Sequence, residues 1–66
     1  MPYDRNDDLP ASVRHHLPPE AQDIFREAFN RAFDRYDEAT AFRIAWAAVK
    51  RRYQKVRGVW VARWLS

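Results

Sequence analysis

The stretch 8-DLPASVRHHLPPEAQDI-24 holds three of the chain's four prolines, and their reading decides the fold. Proline lacks a backbone N–H and fixes φ near −65°, so it suits the first turn of a helix, where that N–H has no intrahelical partner. Pro10 therefore opens a short helix over about residues 10–17, with Asp8 placed to cap it or to favour its positive end. Pro18 ends that helix, because the residue before a proline is pushed out of the helical region. Pro19 opens the next one, with Glu20 and Asp23 in its first turn. Leu9, Val13 and Leu17 are spaced to turn one apolar edge inward.

Downstream, Ala21, Ile24, Phe25, Ala28, Phe29, Ala32, Phe33 and Tyr36 recur at three and four, which predicts an amphipathic helix over about 19–37. Its outer face carries Asp23, Glu27, Arg31 and Asp34, and Glu27 and Arg31 stand at the favourable i,i+4 spacing for an ion pair. A third helix is expected over about 40–57, burying Phe42, Ala45, Trp46, Val49, Tyr53 and Val56 and stopping at Gly58. No breaker separates Pro19 from Gly58, so two arrangements stand open. A hairpin turning at "YDEAT" lets one chain bury itself as a monomer; one continuous helix of about 38 residues would need a partner copy, as in a swapped dimer. After Gly58, "VWVA" at 59–62 reads as an extended segment, with Pro2 and Tyr3 placed to lie beside it as a small ribbon. The expected fold class is all-α: one compact three-helix domain, 1–66, with one short and two long helices and a two-stranded ribbon made by the N- and C-terminal segments.

A domain of this size buries only about 60% of the surface its unfolded chain exposes, so it needs a core dense in large groups. Three Trp, three Tyr and four Phe supply it. The absence of cysteine excludes a disulfide framework and thiolate metal ligation, and points to a reducing compartment. With no signal-type start and no apolar run approaching ~20 residues, a soluble cytoplasmic protein is expected. One glycine is too few for a Gly-rich phosphate loop. Charge is divided: residues 1–38 hold all nine acidic side chains against five Arg, whereas residues 39–66 hold seven Lys and Arg and no acid. Either the two halves neutralise each other by packing, or the basic half faces an anionic partner.

Several clusters invite a chemical reading. Asp4, Asn6 and Asp8 repeat the first three oxygen positions of a calcium loop, but Leu9 and His15 stand where glycine and a bidentate glutamate are required. His15 and His16 are adjacent, hence about 100° apart on a helix and poorly placed for shared chelation. Asp7/Asp8 and Asp37/Glu38 sit where turns and caps expect carboxylates. No nucleophile with an oriented base emerges, so no catalytic residue, cofactor or metal is expected. The basic segment remains, with Arg43, Lys50, Arg51, Lys55, Arg57 and Arg63 interleaved with Trp60 and Trp64. It reads as a solvated helix face, or as a surface for nucleic acid, an acidic protein loop or an anionic membrane.

"MPY" at the start, "DLP" at 8–10, "AQDIF" at 21–25, "AFN" at 28–30, Tyr36, "AWAAVKRRYQK" at 45–55 and Trp60 together resemble the ChaB family. The match runs from Met1 to Trp60, with the polar segment between the second and third helices shortened to about "DEAT". The resemblance implies a compact helical domain whose termini meet in a small sheet. It also implies a non-enzymatic regulator or adapter that docks on a protein partner, a sodium/calcium–proton antiporter encoded beside it in enteric bacteria. Similar domains resemble companions of nucleic-acid-binding modules, so the alternative expectation is a nucleic-acid binder without sequence specificity using the same basic residues.

Overall fold

The computed structural model describes residues 2–65, the side chain of Leu65 excepted, and within them the proline reading is largely met. Helix α1 covers Ala11–His16, α2 Pro19–Phe33 and α3 Glu38–Arg52. Strands β1, Tyr53–Val56, and β2, Val59–Ala62, follow, with short 3-10 turns at Asn6–Asp8 and Arg63–Leu65. Pro19 is the first residue of α2, and Leu17 before Pro18 is extended, as the ring's clash with a helical predecessor requires. Pro10 is itself extended, so α1 starts one residue later, at Ala11. Asp8 does not cap α1: its carboxylate accepts the Arg5 N–H at 3.2 Å and closes the preceding turn. Gln22 reaches back from α2 and donates to the Leu17 and Arg14 carbonyls at 2.9 and 3.3 Å, covering the open end of α1.

The two long helices form a hairpin, and no continuous helix runs through "YDEAT". Helix α2 stops at Phe33, and Asp37 accepts the Thr40 N–H at 3.0 Å as a helix N-cap, which starts α3 at Glu38. Between them the rings interleave: Phe25 meets Phe42 and Trp46 edge-on at 5.5 and 5.2 Å, and Phe29 meets Phe42 at 5.3 Å. Val13, Phe25, Phe29, Ala45 and Val49 are fully buried around this seam. The outer ends differ from the amphipathic expectation, since Phe33, Tyr36 and Val56 are exposed.

Two expectations at the ends of the chain are corrected. Helix α3 ends at Arg52 and not near 57, because Tyr53 to Val56 leave the helix as a strand. The ribbon is β1 against β2, paired Tyr53↔Ala62 through Val56↔Val59, and not the two termini. Arg57 and Gly58 both have positive φ, 53° and 81°, as a two-residue type I′ turn requires. Gly58 thus serves a hairpin rather than a helix stop. Tyr3, expected in the ribbon, is instead clamped by Asn30, which is 1% exposed. The Asn30 carboxamide accepts the Tyr3 N–H at 3.2 Å and donates to the Tyr3 carbonyl at 2.7 Å.

Candidate docking surface

The hairpin register decides which basic residues meet the tryptophans. Lys55 and Trp60 are cross-strand partners, with the ammonium 5.9 Å from the indole centroid, and Trp60 lies 5.7 Å from Trp46 of α3 at an interplanar angle of 31°. Ser12 and His16 of α1 and Lys50 of α3 complete a shallow depression of about 370 Å³ around these rings. Among the described residues, no carboxylate lines it. Beyond Trp60 a second depression of about 580 Å³ is walled by Pro18, Pro19, Glu20, Tyr53 and Trp64. Trp64 packs edge-on against Tyr53 at 5.7 Å and is 62% exposed. Arg63 donates from Nε to the Lys50 carbonyl at 2.8 Å, which fixes the C-terminal turn to the end of α3.

Tyr53 anchors this surface from below. It is buried, and its hydroxyl makes a long hydrogen bond of 3.4 Å to Glu20. Burial, and then the Glu20 charge, push its ionisation above the ordinary tyrosine range.

The expected binding residues divide into groups. Lys50, Lys55, Trp60, Arg63 and Trp64 come together. Arg57 stands apart at the hairpin tip, and Arg43, exposed on α3, acts on the Asp37 carboxylate. Arg51, one helical step of about 100° from Lys50, lines a groove on another face together with Arg31 and Arg35 of α2. Sequence reasoning missed Arg31, Arg35 and His16 as surface partners, and placed Trp46 wholly in the core, although it is half-buried and lines the depression. Among the described residues no ion pair joins α2 and α3, and Glu27 and Arg31 are not paired either, although Glu27 of α2 lines one groove with Arg51 and Arg52 of α3.

In the acidic leader, Asn6 and Asp8 are engaged structurally, Asp8 by the Arg5 N–H. The Asn6 amide donates to Asp23 at 2.7 Å, and its oxygen accepts from Arg26 at 2.8 Å. His16 donates through Nδ1 to the Ser12 carbonyl, within its own helix.

The family profile for ChaB matches residues 9–63, from the end of the first turn through the hairpin. The chain belongs to the ChaB family. Relatives named "Putative cation transport regulator ChaB" from Escherichia coli K12 and Shigella flexneri are each 50% identical over 66 residues, spanning 83% of this chain and 87% of the relative. The NMR solution structure of a protein described as the putative cation transport regulator ChaB superposes with a TM-score of 0.80 at 46% identity. That likeness covers 94% of this chain and 99% of the solved one. ChaB relatives are thus named as regulators of cation transport. The ChaB-matched span includes Lys50, Lys55, Trp60 and Arg63, while Trp64 lies just beyond it. Among the described residues, no helix is long and apolar enough to cross a membrane.

Proposed function

We propose that this ChaB-family chain is a non-enzymatic regulatory adapter that docks, as a monomer in the cytoplasm, on a cation transporter of the sodium/calcium–proton antiporter class. The observation that carries this reading is the Trp60 surface, where two lysines flank a preformed indole pair in a depression that no carboxylate of the described residues lines. An acidic transporter loop bearing an apolar residue would satisfy both features, with the lysines steering encounter and the rings providing area. Because Trp60 is already held by Trp46 and Lys55, little side-chain ordering is lost on docking. Regulation then needs only that the loop be presented differently in two transporter states, since differential affinity shifts their populations.

A nucleic-acid duplex is a poorer match. Arg51 lines a different face from Lys50 and Lys55, which divides the positive charge between two surfaces, and the Trp60 ring is flanked by Trp46 and Lys55 where a base would stack. The test is binding of the labelled chain to the detergent-solubilised antiporter of its source, beside a short DNA duplex, at about 50 and 200 mM salt, the range in which multiple phosphate contacts lose ~10³ or more in affinity. The expected result is saturable antiporter binding that is lost in a Lys50→Glu/Lys55→Glu variant. Binding to DNA that collapses with salt, with none to the antiporter, would reverse the assignment.

A further inference from the structure

On a different face from Trp60, α2 and α3 leave a groove of about 530 Å³ between them. Its floor is small and apolar: Ala28 and Ala32 of α2 face Ala47 and Ala48 of α3, with Ile44 and Tyr36 towards one end. Its rim is cationic, with Arg31 and Arg35 on the α2 side and Arg51 on the α3 side. Among the described residues none of these three guanidinium groups forms an ion pair, and all three are exposed. The groove continues past Arg31 and Arg51 towards Arg52, where Glu27 is the one carboxylate that lines it.

We infer that this groove is a second docking site, and that its occupant is an acidic amphipathic helix of a partner protein. Alanine floors let another helix approach closely, while methyl groups, Ile44 and Tyr36 offer apolar area to its buried stripe. Three unpaired arginines, on both rims, are positioned for carboxylates flanking that stripe, and guanidinium forks suit them geometrically. A second copy of this chain fits less well, because a two-fold interface would bring the same arginines against each other. Nucleic acid would use the rim but leave the apolar floor without a partner. The site is independent of the Trp60 surface, so the two together would let one small chain bridge two acidic segments.

The probe is a synthetic peptide of about 15 residues, roughly four helical turns, with leucine on one stripe and glutamate beside it. Its counterpart carries lysine for each glutamate. Carbon–proton spectra of the labelled full chain follow the methyl groups of Ala28, Ala32, Ala47 and Ala48. The glutamate peptide should shift these methyls saturably, and the lysine peptide should not. Arg35→Glu/Arg51→Glu should weaken binding roughly tenfold, the effect of removing and reversing two rim charges. Ala48→Leu, which fills the floor without altering charge, should also weaken it. Should either groove variant fail to fold, the peptide pair on the unaltered chain still decides. The inference fails if the methyls stay still, if both peptides bind alike, or if the shifts fall on the Trp46 and Trp60 indoles. It fails equally if the methyls move with protein concentration alone, or respond to duplex DNA before the peptide.

Discussion

Lys55 and Trp60 face each other across the β-hairpin with 5.9 Å between ammonium and ring centroid, and the same indole lies 5.7 Å from that of Trp46 on α3. Trp60 therefore fastens the hairpin to the helices while it forms the centre of the proposed docking surface. Truncation to alanine removes the ring contact and the partial burial together, so Trp60→Ala should cost about 2 kcal/mol, below the range for a fully buried Trp. Lys55→Ala should cost no more than about 1 kcal/mol, since an exposed cation–π contact is worth little. Urea unfolding of both variants checks the ranking.

The turn at Arg57-Gly58 separates backbone strain from packing. A Cβ added at Gly58 would meet nothing within 4 Å, yet φ is +81°, so Gly58→Ala should destabilise by about 1 kcal/mol through backbone conformation alone. Arg57, at φ 53°, already bears such a cost. Arg57→Asn should therefore stabilise by roughly 0.5 kcal/mol, because asparagine visits that region more readily. Opposite shifts of the thermal midpoint at neighbouring positions are the expected readout.

Asn30 is buried and reads the Tyr3 backbone through both ends of its carboxamide. Asn30→Asp replaces a donor with a charge and sets it against the Tyr3 carbonyl, so it should destabilise more than Asn30→Ala, which loses two hydrogen bonds worth about 1 kcal/mol each. Amide exchange at Tyr3 should accelerate in Asn30→Ala, which removes the acceptor of that N–H. Unchanged protection would mean that the N-terminal segment is held by the ring contact of Tyr3 with Phe29 alone.

Stability should fall at both ends of the pH scale for assignable reasons. Tyr3 and Tyr53 both ionise above the ordinary value of 10.0; burial is the larger cause, aided by Glu38 for Tyr3 and Glu20 for Tyr53. The unfolded chain loses these protons first, so their contribution is full below pH 10 and lost as pH rises through the folded values. Tyr53→Phe should flatten that alkaline decline. Asp37 has the opposite sign: hydrogen bonds from Thr40 hold its carboxyl below 3.8, so its contribution is present above that value and lost as pH falls through the folded one. Thermal midpoints across the pH range, with Asp37→Ala as the acid-side control, test both limbs.

What was legible in the sequence was local. Pro18 and Pro19 act on their own neighbours, so the break between α1 and α2 follows from dihedral geometry. The end of α3 was not legible from periodicity, because Val49, Tyr53 and Val56 fit helical spacing as well as they fit a strand that begins at Tyr53. The better signal was "KVRGVW", two β-forming flanks around an X-Gly turn. The Tyr3 clamp spans 27 residues and depends on one buried asparagine, which no pattern in the first residues reveals. At the proposed docking surface, Lys50, Lys55 and Trp60 stood out by composition. The Arg31, Arg35 and Arg51 groove did not, because its two rims come from different helices and Arg31 reads as the partner of Glu27 until the distances are known.

The most direct test of the adapter account is cation/proton antiport in proteoliposomes containing the antiporter, with the chain added on the face bearing the cytoplasmic loops. The account predicts a saturable change in transport rate that the Lys50→Glu/Lys55→Glu variant, still folded by circular dichroism, fails to produce. Transport unaffected by the unaltered chain at saturating concentration, or altered equally by the charge-reversed variant, would contradict it.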